Sequence, residues 1–153
     1  MGKKVLDPTT VVVQQAARYV KKWQRALSLN SWRITITSAP KATLNEITGM
    51  DSLAMVTARL PLLQATMTLA GDWPWVEGGS NPDYDLEVVV VHELAHIRLT
   101  AVEDALWEYL QTLTDYLPPV LADQMDRPYQ SIREAMVNTV VGVAMEGERE
   151  WKR

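Results

Sequence analysis

The chain has 153 residues, no cysteine and a formal net charge of −4. This length fits one compact domain, which we predict over residues 1–153, and the absence of cysteine excludes disulfides and thiolate chemistry. The acidic balance argues against a nucleic-acid partner, because such proteins normally carry a clustered basic face.

The N-terminal segment does not predict a signal peptide. Its charged start is followed by only three valines, Val11–Val13, before Gln14 and Gln15 interrupt the apolar run. Nowhere does an apolar run approach the ~20 residues that cross a bilayer. We therefore expect a cytoplasmic protein without a membrane partner, and the sequence leaves the oligomeric state open.

Apolar residues recur at helical spacing between about Pro8 and Leu29, while basic side chains occupy the other side. Asp7 and Pro8 form a typical cap and first-turn pair. The segment is therefore predicted to be an N-terminal helix. Its apolar positions are Val12, Val13, Ala16, Ala17, Val20, Trp23 and Leu27.

Three β-prone stretches follow the helix, and together they predict a small three-stranded sheet. Residues Trp32–Thr37 alternate strictly between apolar and polar, as expected for a half-buried strand. The other two stretches are Met55–Leu60 and Gln64–Ala70, with Pro61 between them. In the last stretch, the apolar residues Ala65, Met67 and Leu69 alternate with the polar residues Gln64, Thr66 and Thr68.

A long irregular loop is predicted next, because glycine and proline recur at 71–75 and 78–82. Trp73 and Trp75 flank Pro74 in this loop. These two rings either line a substrate cleft or plug one end of the core.

The rest of the chain predicts three helices, so the order of elements gives an α+β fold. The first runs from Pro82 to about Thr100, with Asn81 as its cap and acidic residues in its opening turns. The second covers Val102–Leu117 and is stopped by two prolines, and the third covers about Tyr129–Met145.

The first of these helices contains the only two histidines of the chain, His92 and His96, with Glu93 beside the first. Positions four apart on a helix lie on one face, so both imidazoles can bind a single ion. On a strand, the same spacing would separate them by more than ~12 Å. Zinc held there lowers the pKa of a water molecule, and Glu93 can take its proton as the water attacks a carbonyl. The sequence therefore predicts a zinc site with Glu93 as general base.

A catalytic zinc normally has three protein ligands, and no third histidine exists, so a carboxylate must complete the site. Glu134 is the preferred residue because it lies in a strongly apolar helical segment, where an unpaired carboxylate is expensive. Asn138, one turn later, could orient a ligating histidine. Glu103 and Asp104 are the main competitors, but they would need a sharp chain reversal to return to the ion. The other downstream candidates are Glu108, Asp115, Asp123, Asp126 and Glu146.

Both assignments have a purely structural alternative. The two histidines could form a polar stripe on a partly buried helix, although bare imidazoles in an apolar helix need partners. Glu134 could be a solvated residue that pairs with Arg133 or Gln130. Stoichiometric zinc in the purified protein would exclude a metal-free helical adaptor.

The stretch from the β-prone segments through His92-Glu93-Leu94-Ala95-His96 to Glu134 resembles the minimal zincin-like metallopeptidases of the gluzincin type. It looks most like the compact versions encoded by phages and prophages. The resemblance covers about residues 60–146. It implies one zinc per chain bound by His92, His96 and Glu134, with Asn138 supporting a histidine where thermolysin-like enzymes have an aspartate.

The resemblance also has implications for the substrate. It implies that the strand Gln64–Ala70 is the edge strand that pairs with an extended peptide. Family members often use a tyrosine or histidine to stabilise the oxyanion, and Tyr129 is the candidate nearest in sequence to Glu134. The other candidate tyrosines are Tyr84, Tyr109 and Tyr116.

Together these features predict a zinc-dependent metallopeptidase that hydrolyses bonds in a peptide or protein substrate. The alternative is a zincin-fold regulatory or interaction protein with little or no hydrolysis, which the small size favours and an intact Glu93 disfavours. A fourth protein ligand on the zinc would support the scaffold, whereas an open position would support the enzyme.

Overall fold

The computed structural model of the protein describes residues 8–76, 85–122 and 124–151. Within these ranges it contains five α-helices, a short 3₁₀-helix and a three-stranded sheet, which confirms the α+β class. The chain divides into two compact units, Met1–Ile97 and Arg98–Arg153. The single domain predicted over residues 1–153 stays a prediction.

Helix α1 spans Pro8–Ala26 and confirms the predicted N-terminal helix. The apolar spacing predicts its buried side, except that Ala17 is exposed together with the basic residues. Asp7, the predicted cap, lies outside the described residues. The most buried positions of the helix are Val12, Ala16, Val20 and Trp23.

Strands β1 (Arg33–Ala39), β2 (Ala54–Arg59) and β3 (Gln64–Ala70) form the predicted three-stranded sheet. Their order is β1-β3-β2, with β3 parallel to β1 and antiparallel to β2. Strand β3 is therefore the central strand, and the prediction that it is the substrate-pairing edge strand is wrong. Its backbone hydrogen bonds go to a strand on each side, which leaves none for a peptide.

The sheet has one buried and one polar face. On the buried face, Ala65, Met67 and Leu69 are at most 4% exposed, which confirms the predicted alternation of β3. On the polar face, Thr35 of β1 and Thr57 of β2 are paired on either side of Thr66. The sheet therefore contributes a single apolar layer to the core of the first unit.

A helix that the sequence did not predict, α2, spans Lys41–Thr48 between β1 and β2. Leu44 is its one buried residue. The helix ends at Gly49, whose φ of 71° is a left-handed conformation that glycine adopts without strain. Since parallel neighbours cannot be joined by a tight turn, α2 and β2 together form the connection between β1 and β3.

The longest helix, α3, spans Leu86–Thr114 and joins two helices that the sequence predicted separately. No glycine or proline occurs between these residues, so nothing interrupts the helical hydrogen bonds near Thr100, where a break was predicted. The helix also ends at Thr114 rather than at Leu117. The separation into two helices is therefore wrong.

The start of α3 is capped by Asp85. Its Oδ1 atom accepts hydrogen bonds from the backbone N–H groups of Glu87 (2.9 Å) and Val88 (3.3 Å). These bonds satisfy two of the donors that a helix leaves unpaired at its first turn. The helix thus begins at Leu86 rather than at Pro82, and the predicted cap lies outside the described residues.

The first turn of α3 is also tied to α1. The Oε1 atom of Glu87 accepts a hydrogen bond from the indole Nε1 of Trp23 (2.7 Å) and another from the Nζ of Lys22 (2.5 Å). Trp23 is only 3% exposed, so this carboxylate satisfies an indole N–H that would otherwise be buried without an acceptor. Helix α1 therefore fixes the helix that carries both histidines.

The second unit contains the last part of α3 together with α4 (Pro119–Ala122) and α5 (Asp126–Trp151). Helix α5 confirms the predicted last helix and extends it at both ends. Proline fits the first position of α4 because that position needs no backbone N–H. Within the described ranges, no helix is both long and apolar enough to cross a membrane.

Candidate metal centre

His92 and His96 lie one turn apart on α3, which confirms that the pair is on a helix. Both residues belong to the first unit. Their Nε2 atoms are 3.2 Å apart, and their ring centroids are 4.9 Å apart with the ring planes at 73°. His96 is 6% exposed and His92 is half-buried. The two imidazoles therefore direct their outer nitrogens toward a common point.

The separation of these nitrogens matches what zinc requires. Two ligand atoms at 2.0–2.1 Å from a tetrahedral zinc lie about 3.3 Å from each other. The 3.2 Å between the Nε2 atoms of His92 and His96 is close to this value. The same separation also permits an N–H···N hydrogen bond when one ring carries its proton on Nε2. In the metal-bound form an ion would lie between the two Nε2 atoms, whereas in the metal-free form a proton would.

The helix around the two histidines is apolar on nearly every side. Val90, Val91, Leu94, Ala95 and Ile97 are at most 1% exposed. On this buried side of the helix, an uncompensated imidazole is costly. Burial of this kind is what a metal site needs around its ligands.

Glu134 on α5 belongs, with the two histidines, to a group of possible metal ligands. His92, His96 and Glu134 each offer one ligand atom, and these atoms all lie within 4.8 Å of one another. Two imidazole nitrogens and one carboxylate oxygen form a donor set that suits zinc. This group could hold a metal ion, as the sequence predicts for these three residues.

The competing carboxylates Glu103 and Asp104 do not belong to this group. Glu103 is buried, and its Oε2 atom accepts a hydrogen bond from the Nε of Arg133 over 2.9 Å. Its charge is therefore already balanced by a guanidinium. Asp104 is exposed on the next position of α3. The assignment of Glu134 as the third ligand stays a prediction.

Arg133 connects two glutamates of the second unit, Glu103 and Glu134. Its Nη1 atom lies 3.9 Å from Oε1 of Glu134, while its Nε donates to Glu103. Burial alone would lower the pKa of the Arg133 guanidinium, but the hydrogen bond to Glu103 and the negative charges of both glutamates raise it above its usual value. From the sequence, Arg133 could be recognised only as a neighbour that can pair with Glu134. Its contact with Glu103 could not be predicted, because the two residues are thirty positions apart.

Glu93 is 7% exposed and follows His92 directly on α3. A carboxylate that is so well buried is costly in its charged form unless a partner stabilises it. The assignment of Glu93 as general base stays a prediction.

The two supporting residues lie in the second unit. Asn138 is one turn after Glu134 on α5 and is exposed, so the environment of Asn138 lends no support to its predicted role of orienting a histidine. Tyr129 is 9% exposed, and its ring packs 5.0 Å from that of Trp107. Both roles stay predictions. Of the alternative tyrosines, Tyr109 and Tyr116 are exposed and Tyr84 lies outside the described residues.

The two loop tryptophans are held against the first unit. The indole N–H of Trp75 donates to the backbone carbonyl of Ala70 over 2.8 Å, at the end of β3. The Nζ of Lys41 lies 4.6 Å from the ring centroid of Trp73. Both rings are half-buried, so the choice between lining a substrate cleft and closing one end of the core stays open.

Comparison of the chain with protein-family models, with curated proteins and with solved structures finds no match. The resemblance to gluzincin-type metallopeptidases therefore rests on the residues of the sequence and stays a prediction.

Proposed function

We propose that this protein is a zinc-dependent metallopeptidase. The observation that carries the proposal is the approach of three potential ligand atoms, from His92, His96 and Glu134, to within 4.8 Å of one another. The position of Glu93 beside the first histidine adds the acid–base group that hydrolysis needs. A purely structural zinc site has no use for this additional carboxylate.

His92 and His96 would hold the ion through their Nε2 atoms, and Glu134 through a carboxylate oxygen. When bound, zinc lowers the pKa of a coordinated water to about 7 and polarises a carbonyl group. Two histidines and a carboxylate also suit ferrous iron, so the donor set alone does not select the metal. The glutamate next to His92 favours hydrolysis, because oxygen chemistry does not require a general base at that place.

Glu93 would act on protons during the reaction. Its carboxylate takes one proton from the attacking water as the water oxygen bonds to the carbonyl carbon of the substrate. It then returns that proton to the amide nitrogen as the carbon–nitrogen bond breaks, so Glu93 ends the cycle ionised. The substrate in this proposal is a peptide or a protein.

Activity of the zinc-loaded protein on a peptide mixture, read by mass spectrometry, tests the proposal. We expect cleavage by the wild type and a loss of at least ~100-fold in Glu93→Gln, the lower end of what a general base contributes. Glu108→Gln is the matched control, because Glu108 is exposed on the same helix and undergoes the same chemical change. Full activity in a folded, zinc-loaded Glu93→Gln variant, or no cleavage by the wild type, would overturn the proposal.

A further inference from the structure

The second unit has a wide-open surface cavity, with a volume of about 350 Å³. Every residue that lines it belongs to α3 or α5. The volume is large enough for one long side chain of a substrate. The lining residues are Glu103, Asp104, Trp107, Tyr129, Gln130 and Arg133.

Two aromatic rings form one wall of this cavity. Trp107 and Tyr129 pack with their ring centroids 5.0 Å apart and their planes at 54°. Tyr129 is 9% exposed, whereas Trp107 is 41% exposed. Tyr129 is therefore the more buried of the two rings, and Trp107 is the one that solvent or a ligand reaches more easily. An indole face attracts cations more strongly than the ring of any other side chain.

The charged groups of the lining leave one negative charge in excess. The guanidinium of Arg133 is occupied by Glu103, at 2.9 Å, and by Glu134, at 3.9 Å. Asp104 is exposed, and among the residues that the structure describes it makes no ion pair. A cation that enters the cavity thus meets a carboxylate that is still available and an arginine whose charge is already compensated.

The charge of the surrounding unit has the same sign. Residues 98–153 contain ten acidic and six basic residues, a net charge of −4, whereas residues 1–97 contain nine of each. The net charge of the chain therefore lies entirely in the unit that contains the cavity. Such an imbalance attracts cationic ligands and repels anionic ones.

We propose that this cavity binds a cationic side chain, arginine or lysine, of the substrate, with Asp104 as its ion-pair partner and Trp107 as its cation–π surface. The proposal rests on the proposed function, because Arg133 of the lining is adjacent to Glu134, one of the three potential metal ligands. The protein would then prefer basic peptides.

Binding of a small probe tests the cavity without any hydrolysis. The probe is Nα-acetyl-arginine amide, followed by the NMR shift of the Trp107 indole N–H, and Nα-acetyl-glutamate amide is its matched counterpart. We expect the arginine probe to bind and the glutamate probe not to bind. Asp104→Asn should weaken binding of the arginine probe about two- to fivefold, as the loss of one exposed ion pair predicts. Glu108→Gln, which removes a charge one turn away and outside the lining, should leave its affinity unchanged.

The possible results separate the cavity from the enzymatic activity. Equal binding of the two probes, a preference for glutamate, absence of arginine binding, or equal weakening in both variants would overturn the cavity proposal. Selective arginine binding that depends on Asp104, in a protein that cleaves no peptide, would support the cavity proposal and contradict the proposed function. If the protein does cleave peptides, the wild type should favour a basic residue at one position, and Asp104→Asn should lose that preference.

Discussion

The Nε2 atoms of His92 and His96 lie 3.2 Å apart across one turn of α3. Because the apolar surroundings of the helix already hold both rings there, little rearrangement is needed to bind an ion between them. An ion that binds the folded chain and not the unfolded chain must also stabilise the fold. The proposed zinc site therefore predicts that zinc stabilises the fold.

Zinc should raise the melting temperature of the wild type. At a concentration 100 times its Kd, the ion adds about 2.7 kcal/mol to the free energy of unfolding, which corresponds to an increase of about 5–10 °C. Thermal unfolding followed by circular dichroism, with zinc and with a chelator, measures the difference. His96→Ala should show no such increase. An equal increase in the variant would mean that zinc binds elsewhere.

Asp85→Ala should destabilise the fold by about 1 kcal/mol, because it removes the acceptor for the N–H groups of Glu87 and Val88. Urea unfolding gives the difference in the free energy of unfolding. Glu46→Ala serves as the control, since Glu46 is an exposed carboxylate on α2 and caps no helix. A loss in Asp85→Ala no larger than in the control would exclude the cap as a source of stability.

Glu87→Ala should cost about 1–3 kcal/mol, because it leaves the indole N–H of the buried Trp23 without this acceptor. Trp23→Phe removes the other partner of this hydrogen bond, the indole N–H donor. If the hydrogen bond couples the two residues, the double variant loses less stability than the sum of the single variants. Strict additivity in urea unfolding would show that the two side chains act independently.

Arg133→Met should destabilise the protein by about 1–3 kcal/mol, since it removes a guanidinium from the buried carboxylate of Glu103. Arg133→Lys should recover part of this loss, because an ammonium keeps the charge but not the fork geometry of the guanidinium. Unfolding in urea compares the two variants. Equal stability of Arg133→Met and the wild type would show that the Arg133–Glu103 pair does not stabilise the second unit.

The local elements and the histidine motif could be predicted from the sequence, because each has its own periodic pattern. Alternation identified β3 to the residue, and helical spacing identified α1. Alternation reports which face of a strand is buried and not which strands are its neighbours, so the central position of β3 could not be predicted. The resemblance implied that β3 has a free edge for a substrate peptide, whereas both edges of β3 are paired with strands of the chain itself.

Other differences come from weak or misleading local signals. Helix α2 has three apolar residues, Ala42, Leu44 and Ile47, but buries only Leu44, and so short a segment gives no recognisable period. The break expected near Thr100 had no glycine or proline to support it, and α3 continues to Thr114. The pairing of Arg133 with Glu103 depends on how α3 and α5 pack in the second unit, which a pattern along one helix does not encode.

Metal analysis of four proteins purified side by side without added zinc decides whether the three potential ligands act together. The variants are His96→Ala, Glu134→Ala and, as a control, Glu146→Ala, which removes an exposed carboxylate from α5. We predict about one zinc per chain in the wild type and in the control, and background levels in the other two. Background zinc in the wild type, or full zinc in a folded His96→Ala variant, would contradict a metal site on α3; full zinc in Glu134→Ala alone would assign the third ligand to another residue.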